Sequence, residues 1–240
     1  MKITLPEALE ALEATWPPTE AARFGGLVVG RGAGGGGRLS SIRQAGDGWT
    51  DTDLQAALAQ QKAWGEAALI RVRDGQDRLA GAARALGLGM RQPTAILSAP
   101  LDVLAAPGVP PMTTFAVWPP LAVQREIWER DGISLARQMA MARMPGPHVA
   151  ILGRISDRAA GTGFCAVSGP VAGLHAVVVE PALRGARLGE YMLRRAAIWA
   201  QAQGAQVMML AVTRENASAL RLYERLGFRE VSGYVYYHAP

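Results

Sequence analysis

Leu174-His175-Ala176-Val177-Val178-Val179-Glu180-Pro181-Ala182-Leu183-Arg184-Gly185-Ala186-Arg187-Leu188-Gly189 is a β-branched run, a proline stop and a loop of arginines and small residues. Helical periodicity follows from Leu188 to Gln203 and ends at Gly204. A strand is predicted at 207–212. Then comes Asn216-Ala217-Ser218-Ala219-Leu220-Arg221-Leu222-Tyr223-Glu224-Arg225-Leu226-Gly227-Phe228, a helix closed by glycine, and a last strand at 231–237. A short loop of small residues at a helix start leaves backbone N–H groups unpaired. With the helix dipole, these form a site for a diphosphate. Arg184 and Arg187 add positive charge beside it.

Upstream, a strand is expected at 113–117 and helices at 121–130 and 134–143. A hairpin of apolar strands is expected at 148–155 and 161–167, joined by Ser156-Asp157-Arg158. Before that lies a stretch with four prolines, 99–112, which reads as a linker. The first half reads as a helix over the first fifteen residues, stopped at Trp16-Pro17-Pro18. A hairpin with its tip at Gly30–Gly37 and returning strand at 38–42 follows, and then a helix at 51–62 capped by Asp51 or Thr52. Strands at 67–72 and 95–98 flank a helix at 76–86. Gly87 and Gly227 stand 140 residues apart, and at that offset a strand, a helix and a glycine coincide in both halves. The expectation is an α+β (α/β layered) fold of two halves, 1–105 and 112–240, with a mixed twisted sheet flanked by helices.

The two quoted segments resemble the GNAT superfamily of acyl-CoA-dependent N-acyltransferases. Val179-Glu180-Pro181 matches the strand end, Arg184 and Gly189 the outer loop positions, and Asn216, Ala219, Tyr223, Gly227 and Phe228 the marked helix positions. The resemblance covers about half the chain, and the first half reads as a degenerate unit of the same kind. It implies acetyl-CoA as co-substrate, lying between the strands of His175 and Leu210. Val177, Val178, Val179, Arg184, Gly185, Ala186, Arg187, Leu188, Gly189, Asn216 and Tyr223 would hold it. It implies N-acetyl transfer to a primary amine by direct attack on the thioester, with strand amides polarising the carbonyl and the Tyr223 hydroxyl protonating the departing thiolate. His175 would be the base. Period-two alternation puts it on the face of Val177 and Val179, and the alternative is a histidine satisfied by hydrogen bonds inside the sheet. Glu180 is a fallback base. The loop departs from the family pattern at Arg187, where a glycine is usual. A positive φ there would carry strain, with the side chain turned away from the diphosphate or wrapped over it. At the 140-residue offset the first half has Gln44-Ala45-Gly46-Asp47-Gly48-Trp49, where Asp47 would repel a diphosphate and Trp49 would crowd it.

Composition narrows the remaining classes. Of 240 residues, 50% are hydrophobic and 19% charged, which suits a globular chain. No apolar run reaches a membrane span, and the start has an acidic residue and a proline where a signal peptide is apolar, so the expectation is a cytoplasmic protein without membrane contact. A lone Cys165 and three scattered histidines argue against a metal. All but two of the 25 basic residues are arginine, spread along the chain; the net charge of +5 reads as composition bias, not a nucleic-acid footprint. A small-molecule or peptide amine is the expected acceptor, with the oligomeric state open. The rival reading is a non-catalytic acyl-CoA-binding or regulatory module.

Overall fold

The computed structural model describes residues 3–239. The first half runs α1 (Leu5–Ala14), β1 (Glu20–Phe24), β2 (Leu27–Arg31), α2 (Gly37–Ser40), β3 (Ile42–Gln44), α3 (Asp51–Ala63), β4 (Leu69–Arg73), α4 (Asp77–Ala85), β5 (Gly89–Pro100) and α5 (Leu101–Ala105). The second runs β6 (Thr114–Val117), α6 (Ala122–Arg130), α7 (Leu135–Ala142), β7 (His148–Ile155), β8 (Arg158–Ser168), β9 (Val171–Val179), α8 (Leu188–Ala202), β10 (Val207–Thr213), α9 (Ala217–Arg225) and β11 (Arg229–His238). All strands join one sheet in the order β1-β2-β3-β4-β11-β5-β10-β9-β8-β7-β6.

That order carries the internal repeat. Each half contains three antiparallel strands, a helix, a strand, a helix and a final strand, and the second half adds β6 in front of its set, antiparallel to β7. The final strands are exchanged: β5 of the first half pairs with β10, and β11 of the second pairs with β4. β5 and β11 also pair with each other at the middle of the sheet. The chain is thus a tandem of two like units that share one sheet and do not form separate lobes. The backbone amides of β5 and β11 are paired on both sides by this exchange, so neither unit is left with an unpaired inner edge.

One face of the sheet is covered by α3, α4, α8 and α9. Leu54, Ala57, Leu79 and Ala83 pack there on Ile70 and Val72; Leu193, Ala196, Tyr223 and Leu226 pack on Leu97, Leu174 and Leu210. The other face holds α1, α6 and α7: Leu9 and Leu12 over Ile96, Met209 and Tyr234, and Trp128 and Met141 over Phe164. Alternation along β10 sends Met208 and Leu210 to the first face and Met209 to the second, as period-two geometry requires.

Several expected elements change. The hairpin turns at Gly25-Gly26, joining β1 to β2, and the Gly30–Gly37 run leads not into a strand but into the single helical turn α2. The cap of α3 is Thr50, whose hydroxyl and Asp53 form a reciprocal capping box. The linker begins later than composition suggests, because Ala99 and Pro100 finish β5 and Leu101 and Leu104 are buried in α5. β5 itself runs well beyond 95–98 because both of its edges are paired.

Candidate functional site

The site grows from a discontinuity in β9. Thr162 faces Val178 and Phe164 faces His175, so Ala176 and Val177 together oppose Gly163, and Ala176 has φ +50°. This is a β-bulge, and it breaks the alternation of the strand. Leu174, Val177 and Val179 face α8 and α9, whereas His175, Ala176 and Val178 face α1 and α6. His175 therefore lies on the opposite face from Val177 and Val179, contrary to the period-two expectation. The pairing of β9 with β10 also stops at Leu174–Leu210, and beyond it the two strands part. The gap connects the two faces of the sheet.

On the α8/α9 face the gap opens into a groove of about 530 Å³ lined by Val177, Val178, Val179, Arg184, Gly185, Arg187, Leu188, Gly189, Asn216, Ala219 and Tyr223. On the α1 face it opens into a chamber of about 410 Å³ lined by Trp16, Arg38, His175, Ala176, Tyr234 and Tyr236 among others. Val177, Asn216 and Tyr223 border both, so the two spaces meet at these residues.

The loop entering α8 keeps its amides free. Among the described residues, the N–H groups of 185–190 donate to no protein acceptor, and the first amide to find one is that of Tyr191, bonded to Arg187 O at 3.1 Å. These six consecutive amides, three of them in the first turn of the 15-residue α8, are unpaired donors at the positive end of a helix dipole, an arrangement that favours an anion. Arg187 is the helix N-cap at φ +59°, the left-handed conformation that carries strain at a residue other than glycine. Its guanidinium turns away from the amides to grip Glu190 through two hydrogen bonds of 3.0 and 2.8 Å. Those bonds, with two more from Arg194 at 3.1 and 3.0 Å, hold the Glu190 carboxyl below its ordinary value and cancel its charge near the helix start. Arg184 donates from Nε to Val179 O at 3.1 Å, which ties the loop to the strand end. Ala186 is the one expected loop residue that does not line the groove; it borders a separate depression beside Tyr191.

Asn216 caps α9, its Oδ1 accepting from Ala219 N at 3.2 Å and Ser218 Oγ at 3.1 Å. Its amide nitrogen is left for the groove. Tyr223 is 8% exposed, and its ring packs against Phe228 with centroids 5.5 Å apart. Its hydroxyl has no protein partner among the described residues, and the residue borders both groove and chamber. Burial pushes its pKa up to about 12, so it holds its proton across the neutral range.

His175 is held from both sides. Thr15 gives its hydroxyl hydrogen to Leu12 O at 2.6 Å and so acts as acceptor toward His175 Nε2 at 2.8 Å, which assigns the ring proton to Nε2. Nδ1 then accepts from the Arg38 guanidinium at 3.3 Å. Gly173 makes this approach possible, since a Cβ there would lie 2.0 Å from Thr15 Oγ1. Burial, reinforced by Arg38 and opposed by Glu13, lowers the His175 pKa well below 6.5. A second proton on this ring would have to displace an arginine and sit beside its charge. The geometry matches the histidine satisfied by hydrogen bonds more closely than the base.

Other groups near the site separate clearly. Glu180 pairs with Arg130 at the strand end and borders neither space. Cys165 is buried beneath α8, and burial raises its thiol to about 12, so it is no nucleophile. Tyr236 lines the chamber, whereas Tyr237 packs in the first-half core with its hydroxyl 3.2 Å from Arg84. No cluster of three or more His, Cys, Asp or Glu among the described residues could hold a metal.

The corresponding place in the first half is closed. The amides of Ala45 and Gly46 bond Gly26 O at 2.8 and 3.0 Å, and Trp49, 2% exposed, fills the space under Arg78, whose guanidinium lies 4.0 Å from the ring. What the first half contributes instead is the chamber wall: Trp16, Gly35–Arg38, Gln92 and Thr94. Trp16 and Arg38 carried no sequence signal beyond a helix stop and a glycine-rich loop, because their partners are more than a hundred residues away. Arg137, on α7, was missed for the same reason.

With this geometry in place, comparison with known proteins is informative. The acetyltransferase (GNAT) family pattern matches residues 113–228. A 60-residue segment is 37% identical to an uncharacterised N-acetyltransferase of Methanocaldococcus jannaschii, covering 25% of this chain and 26% of that protein. The chain thus aligns with about a quarter of that curated relative's length. Among solved structures, a GCN5-related N-acetyltransferase from Kribbella flavida superposes with a TM-score of 0.73 at 20% identity, covering 98% of this chain and 94% of that one. A tandem GNAT protein from the clavulanic acid biosynthesis pathway superposes with a TM-score of 0.62 at 17% identity, over 83% of this chain and 74% of that one. Both share the fold of this chain, and the second is described as a tandem protein. No helix among the described residues is long and apolar enough to cross a membrane.

Proposed function

Because the second half of this chain, residues 113–228, belongs to the acetyltransferase (GNAT) family, we propose that the protein transfers an acetyl group from acetyl-CoA to a primary amine. The observation that carries this reading is the set of unpartnered amides at 185–190, in one groove with Tyr223. The diphosphate of acetyl-CoA would sit on those amides, with Arg184 and Arg221 at the rim. The pantetheine arm would pass Val177–Val179 and Asn216 into the gap, and the thioester would reach the bulge at Ala176. The acceptor would enter from the α1 face.

The chemistry needs a neutral amine, a polarised carbonyl and a proton for sulfur. The amine nitrogen attacks the carbonyl carbon, and the new oxyanion is met by strand amides near the bulge. As the C–S bond breaks, the Tyr223 hydroxyl gives its proton to sulfur. The resulting phenolate, strongly basic in this dry site, takes the proton from the acylated nitrogen and so returns to its starting state. One side chain thereby serves both transfers. His175 acts here as a positioning residue that fixes Arg38 and the α1 terminus, which revises the base role the resemblance implied. The single cysteine, buried and unreactive, suits a reducing compartment, and a cytoplasmic setting is part of this proposal.

The test is thiol release from acetyl-CoA in the presence of an amine panel, set beside direct acetyl-CoA binding. Binding with amine-dependent release is expected. Binding without release from any amine would favour the alternative, a non-catalytic acyl-CoA-binding or regulatory module; no binding would remove both.

A further inference from the structure

The chamber on the α1 face restricts the acceptor, and this inference rests on the acyl-transfer reading. We propose that the acceptor is a small amine that also carries a carboxylate, of the α-amino-acid type, with Arg38 and Arg137 receiving the carboxylate. The residues that line the chamber include these two arginines and no aspartate or glutamate. The Arg38 side chain is 12% exposed and fixed by Leu12 O at 2.7 Å and His175 Nδ1 at 3.3 Å, with several N–H groups still unused. Its acidic neighbour Glu13 stands 3.9 Å off and already serves Arg71 at 2.8 Å. The Arg137 guanidinium lies over Gly36, close enough that a Cβ there would sit 2.9 Å from its NH2, and it donates to no acceptor among the described residues.

The surroundings strengthen the preference for an anion. Behind the chamber, Arg38, Arg43, Arg71 and Arg73 share two carboxylates, Glu10 and Glu13, so positive charge is in excess. Arg71 is 2% exposed with its Nε and one terminal nitrogen unpartnered, and its guanidinium lies 5.2 Å from the ring of Tyr234, a chamber residue. Buried excess charge projects into a low-dielectric cavity with little screening, which repels polyamines and attracts carboxylates. Position selects the spacing. Arg38 touches His175, the residue before the bulge where the thioester would lie, so a carboxylate a bond or two from the attacking nitrogen falls within its reach. Trp16, Tyr234 and Tyr236 leave an apolar wall for a side chain, and about 410 Å³ suits a free amino acid better than a folded protein surface.

Two arms test this. In the first, protein loaded with coenzyme A binds N-acetyl-L-methionine or its amide in a calorimeter. The acid is expected to bind at least tenfold tighter, and Arg137→Gln to abolish the difference while Arg137→Lys retains part of it, with melting temperatures confirming that both variants fold. In the second, thiol release is followed with L-methionine, L-methioninamide and the corresponding decarboxylated amine. The amino acid is expected to have at least tenfold higher kcat/KM, and Arg137→Gln to raise its KM at constant kcat. Equal binding of acid and amide, or a preference for the amide or for diamines, overturns the proposal. Preferential binding of the acid with no release from any amine would sink the catalytic reading, and the acceptor assignment with it, leaving Arg38 and Arg137 only as a carboxylate-binding site.

Discussion

Replacing Tyr223 with phenylalanine removes one oxygen and nothing else that the fold uses. The ring keeps its contact with Phe228 at 5.5 Å, and the lost hydroxyl had no protein partner. Stability should therefore change by no more than about 0.5 kcal/mol, since no buried donor or acceptor is stranded. Acetyl-CoA affinity should stay within about twofold, because the amides of 185–190 do not depend on this side chain. Turnover is different. Proton transfer by a positioned group contributes roughly 10²- to 10⁴-fold, or about 3–5 kcal/mol of barrier, and here one hydroxyl is asked to make both transfers. The assay is thiol release at saturating amine, with the binding constant and the melting curve recorded on the same preparation. The pH dependence adds a second check: with the phenol held near 12, Tyr223 keeps its proton through pH 10, so wild type should show no alkaline limb below that point from this group. A kcat within twofold of wild type, in a folded variant that binds acetyl-CoA, would refute the proton-shuttle assignment.

Three further outcomes follow from the same contacts. Glu13→Gln should destabilise the protein by about 3–5 kcal/mol in urea at pH 7, because Arg71 then lies buried with no carboxylate; a loss below about 1 kcal/mol would contradict it. In wild type, burial would raise the Glu13 carboxyl, but Arg71, Arg38 and Arg43 more than reverse this and bring it to about 2, so its stabilising contribution is full above about pH 4.5 and fades as the pH falls toward 2. His175→Gln should lower kcat less than tenfold and leave the shape of the pH–rate profile between pH 6 and 9 unchanged; loss of an acidic limb in the variant would restore His175 as the base. Arg187→Gly relieves a left-handed φ and should keep acetyl-CoA affinity within about threefold; a loss beyond tenfold would assign the diphosphate to the guanidinium instead of the amides.

Much of this molecule can be read from one dimension because its signals are local. Strand, loop, helix and glycine stop at 174–204, and the capped, closed helix at 216–227, depend on neighbours within a few turns. The free amides and the left-handed Arg187 follow from the same short range. The 140-residue echo likewise predicts two like halves, since periodicity and glycine stops repeat whatever the halves do in space.

Tertiary structure alone decided three things. It exchanged β5 and β11 between the halves, a choice made by edge pairing across more than a hundred residues. It placed a bulge at Ala176, where one extra residue moves His175 to the face of α1 and opens the gap between β9 and β10; alternation read along the chain assumes an unbroken ladder and so assigns the wrong face. It also brought Thr15, Arg38 and Arg137 around the chamber, where they occupy His175 and set the charge of the acceptor side. Local pattern encodes the backbone grip on a diphosphate, whereas the environment of a buried side chain belongs to whichever distant elements pack against it.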